Sequence, residues 1–178
     1  AATEEGVFFE SLDFASLHNL GILFVCENNE YSIFSHISER QAKKRKIYKI
    51  ARSLGVESVN LNGNSIEEVF LESKKIINKI KKNPKPYLIE FNTFRNIEHC
   101  GPNNDDNLDY RDKKYLNIWK NKCPINNYER KLLKSPQFSL DIKESFKKEI
   151  ALEISKSFSF AKKSKFPQKK ILKKYVYA

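Results

Sequence analysis

No stretch of this chain stays apolar for the roughly 20 residues that a helical membrane span requires, and no signal peptide opens it. The expectation is a soluble, cytoplasmic protein with no membrane partner. Cysteine is scarce as well. Cys26, Cys100 and Cys123 are too few and too scattered for a disulfide framework or a zinc site, and free thiols suit a reducing compartment. No internal repeat appears. What is present is 178 residues with 40% hydrophobic content, enough for one domain with one real core.

The net charge of +11 raises the question of a polyanion partner. The basic residues are spread over Lys43-Lys44-Arg45-Lys46, the lysines between 79 and 82, Lys147-Lys148, Lys162-Lys163 and Lys169-Lys170, with no aromatic platform or nucleic-acid motif between them. Most fall on the polar faces of expected helices. A solvated basic surface is the simpler reading, and no nucleic-acid partner is expected.

Residues 4–17 carry Val7, Phe8, Leu12, Ala15 and Leu17 at helical spacing. The run Gly21-Ile22-Leu23-Phe24-Val25-Cys26 then reads as a buried strand that stops at Glu27-Asn28-Asn29. A basic helix over residues 41–54 should end at Gly55, and residues 56–61 form a short strand before the Asn62-Gly63 turn. Ser65 precedes Glu68 at capping-box spacing, opening a helix fed by Val69, Phe70, Ile76, Ile77 and Ile80. Pro84 and Pro86 stop it, and residues 87–91 return as a strand.

Residues 96–110 form a loop dense in Asn, Asp, Gly and Pro. Helices follow near 112–120 and 126–133, then a long one over 140–162 with Ile142, Phe146, Ile150, Ile154, Phe158 and Ala161 along one side. Core packing is the simpler reading of that stripe; a subunit contact is the sharper one. Strands separated by helices imply parallel pairing through right-handed crossovers. The fold class is therefore α/β, a mostly parallel sheet flanked by helices, with a helical C-terminal extension.

Two loops hold the candidate chemistry. Ligands of open α/β sheets bind at the carboxyl ends of strands, where free backbone groups line a crevice. Asn28 and Asn29 sit at such an end; the pair is a common turn and also offers amide carbonyls to a hard cation. The second loop holds His99, which reads either as a solvated surface group or as a proton-handling one. Cys100 beside it suggests a thiol hydrolase. Adjacent residues on an extended loop tend to point apart, however, while a nucleophile and its base must meet. His36 is a candidate to face the Asn29 pocket, and His18, on a helix, reads as structural.

Taken together, Ala1-Ala2-Thr3-Glu4-Glu5-Gly6-Val7-Phe8-Phe9-Glu10-Ser11-Leu12 and Phe24-Val25-Cys26-Glu27-Asn28-Asn29 resemble the thiamine diphosphate-binding motif. More narrowly, they resemble the alpha subunit of the first component of 2-oxo acid and acetoin dehydrogenases. Members of that family carry Gly-Asp-Gly or Gly-Asp-Ala, a helix opening in a Thr-Glu-Glu-Gly-like sequence, and a strand ending in Glu-Asn-Asn. Ala1 matches the third residue of the first triplet. Ser38-Glu39-Arg40-Gln41, Asn62-Gly63-Asn64, Pro86-Tyr87-Leu88-Ile89-Glu90, Thr93-Phe94-Arg95, Glu98-His99-Cys100-Gly101-Pro102, Tyr110-Arg111 and Tyr175-Val176-Tyr177-Ala178 follow in the family's order. With no initiating Met, the expectation is the C-terminal half of such a subunit. Residues 1–111 would be the C-terminal part of the thiamine diphosphate-binding domain and residues 112–178 a helical extension packed on it.

The resemblance implies thiamine diphosphate and Mg2+ as cofactors. Asn29, through its side-chain carbonyl, and Tyr31, through its backbone carbonyl, would be metal ligands, with Asn28 shaping the turn. Ala1 and Ala2 would lie beside the diphosphate, helped by the dipoles of a helix start near Thr3 to Gly6. His99 would be the active-site histidine at the cofactor. Arg95, Asp105, Asp106, Tyr110 and Arg111 match a loop that orders around the cofactor and helps dock a lipoyl substrate; by themselves they read as a salt-bridged surface loop. Two departures matter. The family's Gly and metal-binding Asp would precede residue 1, and Glu98-His99-Cys100 stands where many members have Gly-His or His-His before Ser, which puts ordinary pyruvate specificity in doubt.

The implied activity is oxidative decarboxylation of a 2-oxo acid, or cleavage of an acyloin, with acyl transfer to a lipoyl group. The implied partners are a beta subunit in an α2β2 assembly, supplying the activating Glu, and a lipoyl-bearing acyltransferase component. A thiamine diphosphate-dependent transferase or decarboxylase without lipoyl chemistry, and a non-catalytic truncated relative, are the alternatives.

Overall fold

The computed structural model describes residues 2–174. Ala1 and the closing motif at 175–178 lie outside the described residues. The chain divides into two compact units, Ala1–Tyr128 and Glu129–Ala178.

The first unit is built on β5 (Tyr87–Asn92), the central strand of a three-stranded parallel sheet. It pairs with β1 (Leu23–Asn28) on one side and β4 (Glu57–Asn62) on the other. Tyr87 to Phe91 are all buried, as expected of a strand covered on both faces. Successive residues alternate between two clusters. Tyr87, Ile89 and Phe91 pack with Ile76 and Ile80 of α4 (Ile66–Lys82). Leu88 packs with Val56, with Leu12 of α1 (Gly6–Leu17) and with Ala51 of α3 (Ile47–Ser53). Helix–sheet–helix layering follows, as the sequence pattern implied.

The register places the three strand ends level, Asn28 opposite Asn92 and Asn62 opposite Asn92. A row of asparagines thus marks the carboxyl edge of the sheet. Among the described residues β1 has a strand partner on one side only and is not the fully buried strand its composition suggested; Val25 remains 55% exposed, outside the cluster that Leu23 joins beside α4.

Local signals set most helix ends. Ser65 Oγ accepts the Glu68 N–H (3.3 Å), while Glu68 Oε1 accepts the Asn62 N–H (3.1 Å) rather than that of Ser65. Gly55 ends α3 with φ +79°, a conformation that favours glycine. Of the helix expected over 41–54 only α3 is present; residues 41–46 are not helical, and a separate short helix, α2 (Ile37–Arg40), precedes them. Gln41 is extended, its side chain donating to Glu4 (2.7 Å), and Arg45 donates to the Thr3 carbonyl (2.9 Å). Those contacts, and the mutual repulsion of four consecutive cations at 43–46, disfavour a continuous helix.

A small hairpin of β2 (Tyr31–Ser32) and β3 (Ser35–His36) has no sequence signal. Ile33 at its tip has φ +53°, rare for a β-branched residue, and its carbonyl accepts from Arg95 Nη2 (2.9 Å). A contact 62 residues away thus braces a turn that local propensity opposes. The first unit also contains α5 (Lys113–Lys120), whose Leu116 is buried and whose Trp119 stacks on Phe94 with ring centres 5.5 Å apart.

α6 (Pro124–Leu132) leads into the second unit. That unit holds α7 (Leu140–Lys163), opened by Ser139 Oγ accepting the Ile142 N–H (3.3 Å). The core-packing reading of its stripe is not met: Ile142, Phe146, Ile150, Ile154 and Phe158 are all exposed, and among the described residues of this unit there is no strand to receive them. Among the described residues no helix is long and apolar enough to cross a membrane.

Candidate cofactor site

β1 delivers the chain into two successive asparagine-capped turns. Asn28 Oδ1 accepts the Glu30 N–H (3.0 Å) and Asn29 Oδ1 accepts the Tyr31 N–H (3.0 Å). Glu30, between them, has φ +65°. A carbonyl oxygen has two lone pairs, so the Asn29 amide keeps acceptor capacity beyond its turn.

The turn forms one wall of a cavity of about 360 Å³, and Ala2, Thr3 and Glu4 form another. Three of the expected cofactor residues, Ala2, Asn29 and Tyr31, thus line one cavity at the carboxyl end of a parallel strand. Ala2 lies in a 3-10 turn (Ala2–Glu4), and α1 begins at Gly6, within the helix start expected near Thr3 to Gly6. Ala1 lies outside the described residues.

Glu4 is not a free anion in this cavity. Arg40 Nε donates to both its oxygens (3.2 and 3.1 Å) and Gln41 Nε2 donates to Oε1 (2.7 Å). Those bonds, Gln41's first and then Arg40's, hold its carboxyl below the ordinary glutamate range. Cys26, also in the lining, is pushed up to about 11 by burial and then by the Glu90 charge, which keeps the thiol protonated. Burial likewise raises the Tyr31 phenol.

His36 is not in the cavity lining. Its Nδ1 accepts the Ser38 N–H (3.3 Å) as the cap of α2, and its Nε2 lies 3.7 Å from Glu30 Oε2. The same Glu30 oxygen accepts from Tyr115 (3.0 Å), whose phenol is raised by burial and by that carboxylate. His18 ends α1 with its ring 4.4 Å from Phe14, a structural role as expected.

Sequence reasoning missed Glu90. It is 4% exposed on the central strand, with Oε1 accepting from Asn28 Nδ2 (2.8 Å) and Oε2 from the Tyr48 N–H (3.0 Å). Its signal was a lone carboxylate within Tyr87-Leu88-Ile89-Glu90-Phe91, where burial of a charge demands partners. An adjoining cavity of about 590 Å³ is lined by Asn28, Glu30 and Glu90 together with Arg45 and Lys46.

The second loop is organised differently. Asp105 and Arg111 are 2% and 4% exposed, so their ion pair is interior, not the surface salt bridge that composition suggests. Asp105 Oδ2 also accepts from Tyr110 (2.5 Å) and Arg95 (3.4 Å), and Arg111 donates to the Arg95 carbonyl (2.7 Å). Asp106 pairs with Lys120 (2.5 Å) and Arg111 (3.3 Å); the Lys120 hydrogen bond, more than the others, lowers its carboxyl. Phe94 and Tyr110 lie under the Arg111 guanidinium at 5.2 and 4.8 Å.

His99 and Cys100 sit on the exposed part of this loop, and His99 does not line the Asn29 cavity. Glu98 turns inward on the loop, accepting from Asn103 Nδ2 (2.8 Å). The structure therefore brings together the residues of the first loop and leaves His99 apart from them.

Comparison with known proteins matches residues 1–170 to the family described as dehydrogenase E1 component. The pyruvate dehydrogenase E1 component subunit alpha of Rickettsia bellii is 27% identical over 99% of this chain and 53% of its own length. The 2-oxoisovalerate dehydrogenase subunit alpha of Bacillus subtilis is 28% identical over the same shares, 99% and 53%. The mitochondrial 2-oxoisovalerate dehydrogenase subunit alpha 1 of Arabidopsis thaliana is 30% identical over 72% of this chain and 27% of its own. The chain spans about half the length of the first two.

Proposed function

Because this chain belongs to the dehydrogenase E1 component family, we propose that it is the part of a thiamine diphosphate-dependent alpha subunit that carries the cofactor's metal turn. The whole protein would act in the cytoplasm, oxidatively decarboxylating a 2-oxo acid or cleaving an acyloin and passing the acyl group to a lipoyl carrier. A beta subunit and a lipoyl-bearing component are its partners in this reading. Residues 1–111 belong to the cofactor domain and residues 112–178 to its helical extension.

The observation that carries the reading is the shared cavity of Ala2, Asn29 and Tyr31. The Asn29 amide oxygen and the Tyr31 backbone carbonyl would hold Mg2+, a hard cation that prefers oxygen donors and shares phosphate oxygens rather than requiring an all-protein cage. The small Ala2 side chain leaves room for the diphosphate beside its backbone, as Ala1 would. Bound thiamine diphosphate supplies a nucleophilic carbon and an electron sink.

His99 would donate and accept protons at the substrate once its loop approaches the cofactor. The test is turnover by the complete, assembled protein with Mg2+, thiamine diphosphate and a panel of 2-oxo acids and acyloins, with and without a lipoyl acceptor. Cofactor-dependent acyl transfer, lost in His99→Ala while cofactor binding persists, is the expected result. Cofactor-independent turnover, or undiminished activity of His99→Ala, would overturn these assignments.

A further inference from the structure

The central strand buries a carboxylate that the proposed chemistry does not use. Glu90 accepts from Asn28 Nδ2 (2.8 Å) on one oxygen and from the Tyr48 N–H (3.0 Å) on the other. A hydrocarbon side chain would cost less to bury, so a reason for the charge is needed.

The reason lies in the two ends of the Asn28 amide. Its Nδ2 faces Glu90, which leaves its Oδ1 to accept the Glu30 N–H (3.0 Å). If the amide turned over, its NH2 would face the Glu30 N–H and its oxygen would face a carboxylate; both bonds would fail together. Only a side chain that accepts on both atoms serves Asn28 Nδ2 and the Tyr48 N–H together while fixing the orientation that supports the turn. That turn holds Glu30 at φ +65° and is followed at once by the Asn29 turn to the Tyr31 N–H.

We infer that Glu90 is the positioning residue of the cofactor turn: it locks the Asn28 amide, and through it aims Asn29 and Tyr31. The inference rests on the cofactor reading for its consequence, though not for its geometry.

Exchange of the two functional groups tests it. Glu90→Gln presents an NH2 to one of two donors and breaks the set. Asn28→Asp sets two carboxylates against each other. The double variant is complementary again, since the introduced glutamine donates to the introduced aspartate, whose other oxygen still accepts the Glu30 N–H, while the glutamine oxygen accepts from Tyr48. Two readouts apply, both on the complete, assembled protein: hydrogen exchange of the Glu30 and Tyr31 amides without cofactor, and calorimetry of thiamine diphosphate with Mg2+.

Each single variant should speed exchange at those two amides and weaken cofactor binding by about tenfold or more, the effect typical of residues that orient metal ligands. The double variant should recover to within about threefold of wild type, a coupling expected only of groups in direct contact. A general loss of stability would instead speed exchange throughout the sheet. Should Glu90→Gln not fold, Asn28→Asp and the double variant carry the same comparison. Unchanged exchange in the singles, or a double variant no better than either, overturns the inference. If the exchange pattern is as expected but wild type does not bind thiamine diphosphate, the cofactor reading fails and the positioning role stands.

Discussion

The turn after β1 and the loop between Phe94 and Arg111 are both irregular, polar and rich in Asn or Asp, yet they are held by different forces. In the turn, each asparagine bonds an amide two residues ahead, and Glu90 holds the Asn28 amide from the neighbouring strand. In the loop, order comes from a buried carboxylate, Asp105, that gathers Arg95, Tyr110 and Arg111. The turn presents its expected functional residues to one cavity; the loop buries its charges and leaves His99 at the surface. Short-range turn bonds keep the expected residues beside one another, whereas a loop hung on buried ion pairs can place its anchor and its expected functional group far apart.

The largest effect should come from the loop's anchor. Asp105→Asn leaves the interior Arg111 guanidinium with only the longer Asp106 pair (3.3 Å) to balance it, and unfolding in urea should show a loss of up to about 3–5 kcal/mol. The Asn29 cavity should persist in whatever fraction stays folded. A loss under about 1 kcal/mol would mean that the ion cluster is not what holds the loop.

Asn29→Ala should do the reverse. Its stability should fall by no more than about 1 kcal/mol, the worth of one turn hydrogen bond, while Mg2+-dependent cofactor binding weakens more than about tenfold. Equal losses in stability and binding would erase the distinction between the two regions.

Thiol labelling at pH 8 sharpens the contrast. Cys26 on β1, held near 11, offers roughly a hundredfold less thiolate than an ordinary cysteine and is half-buried. Cys100 on the loop is exposed. Peptide mapping should find Cys100 alkylated well before Cys26, and the opposite order would place β1 or the loop wrongly.

The smallest effect concerns Glu4, tethered by Gln41 and Arg40 beside the turn. Its folded-state pKa lies below its unfolded value of about 4.5, so its contribution is present above that pH and disappears as pH falls through the lower, folded value. Glu4→Gln should be less stable than wild type near neutrality by under about 1 kcal/mol, with the gap closing in acid. A gap that widens in acid would contradict the assigned direction.

Much of this was legible in the sequence, for reasons that differ by region. The strand 87–91, the Ser65 cap and the Gly55 stop rest on composition and spacing within a few residues, and the structure keeps them. The helix expected over 41–54 lacks its first six residues because Glu4 and Thr3, some 40 residues away, capture Gln41 and Arg45. The β2–β3 hairpin was invisible because Ile33 is an unsuitable residue for its own conformation. Glu90 went unread because its partners, Asn28 and the Tyr48 amide, meet only when β1, β5 and α3 assemble. Contacts distant in sequence, which override local propensity at Ile33 as at Gln41, account for most of what the sequence left unsaid.

The most direct measurement is calorimetry of thiamine diphosphate with and without Mg2+, using the complete protein assembled with the beta subunit proposed above, for wild type and Asn29→Ala. Tight binding that requires Mg2+ and is lost on substitution is the predicted result. Binding that ignores the metal and the substitution, or no binding by a folded, assembled wild type, would contradict a cofactor site at the Asn29–Tyr31 turn.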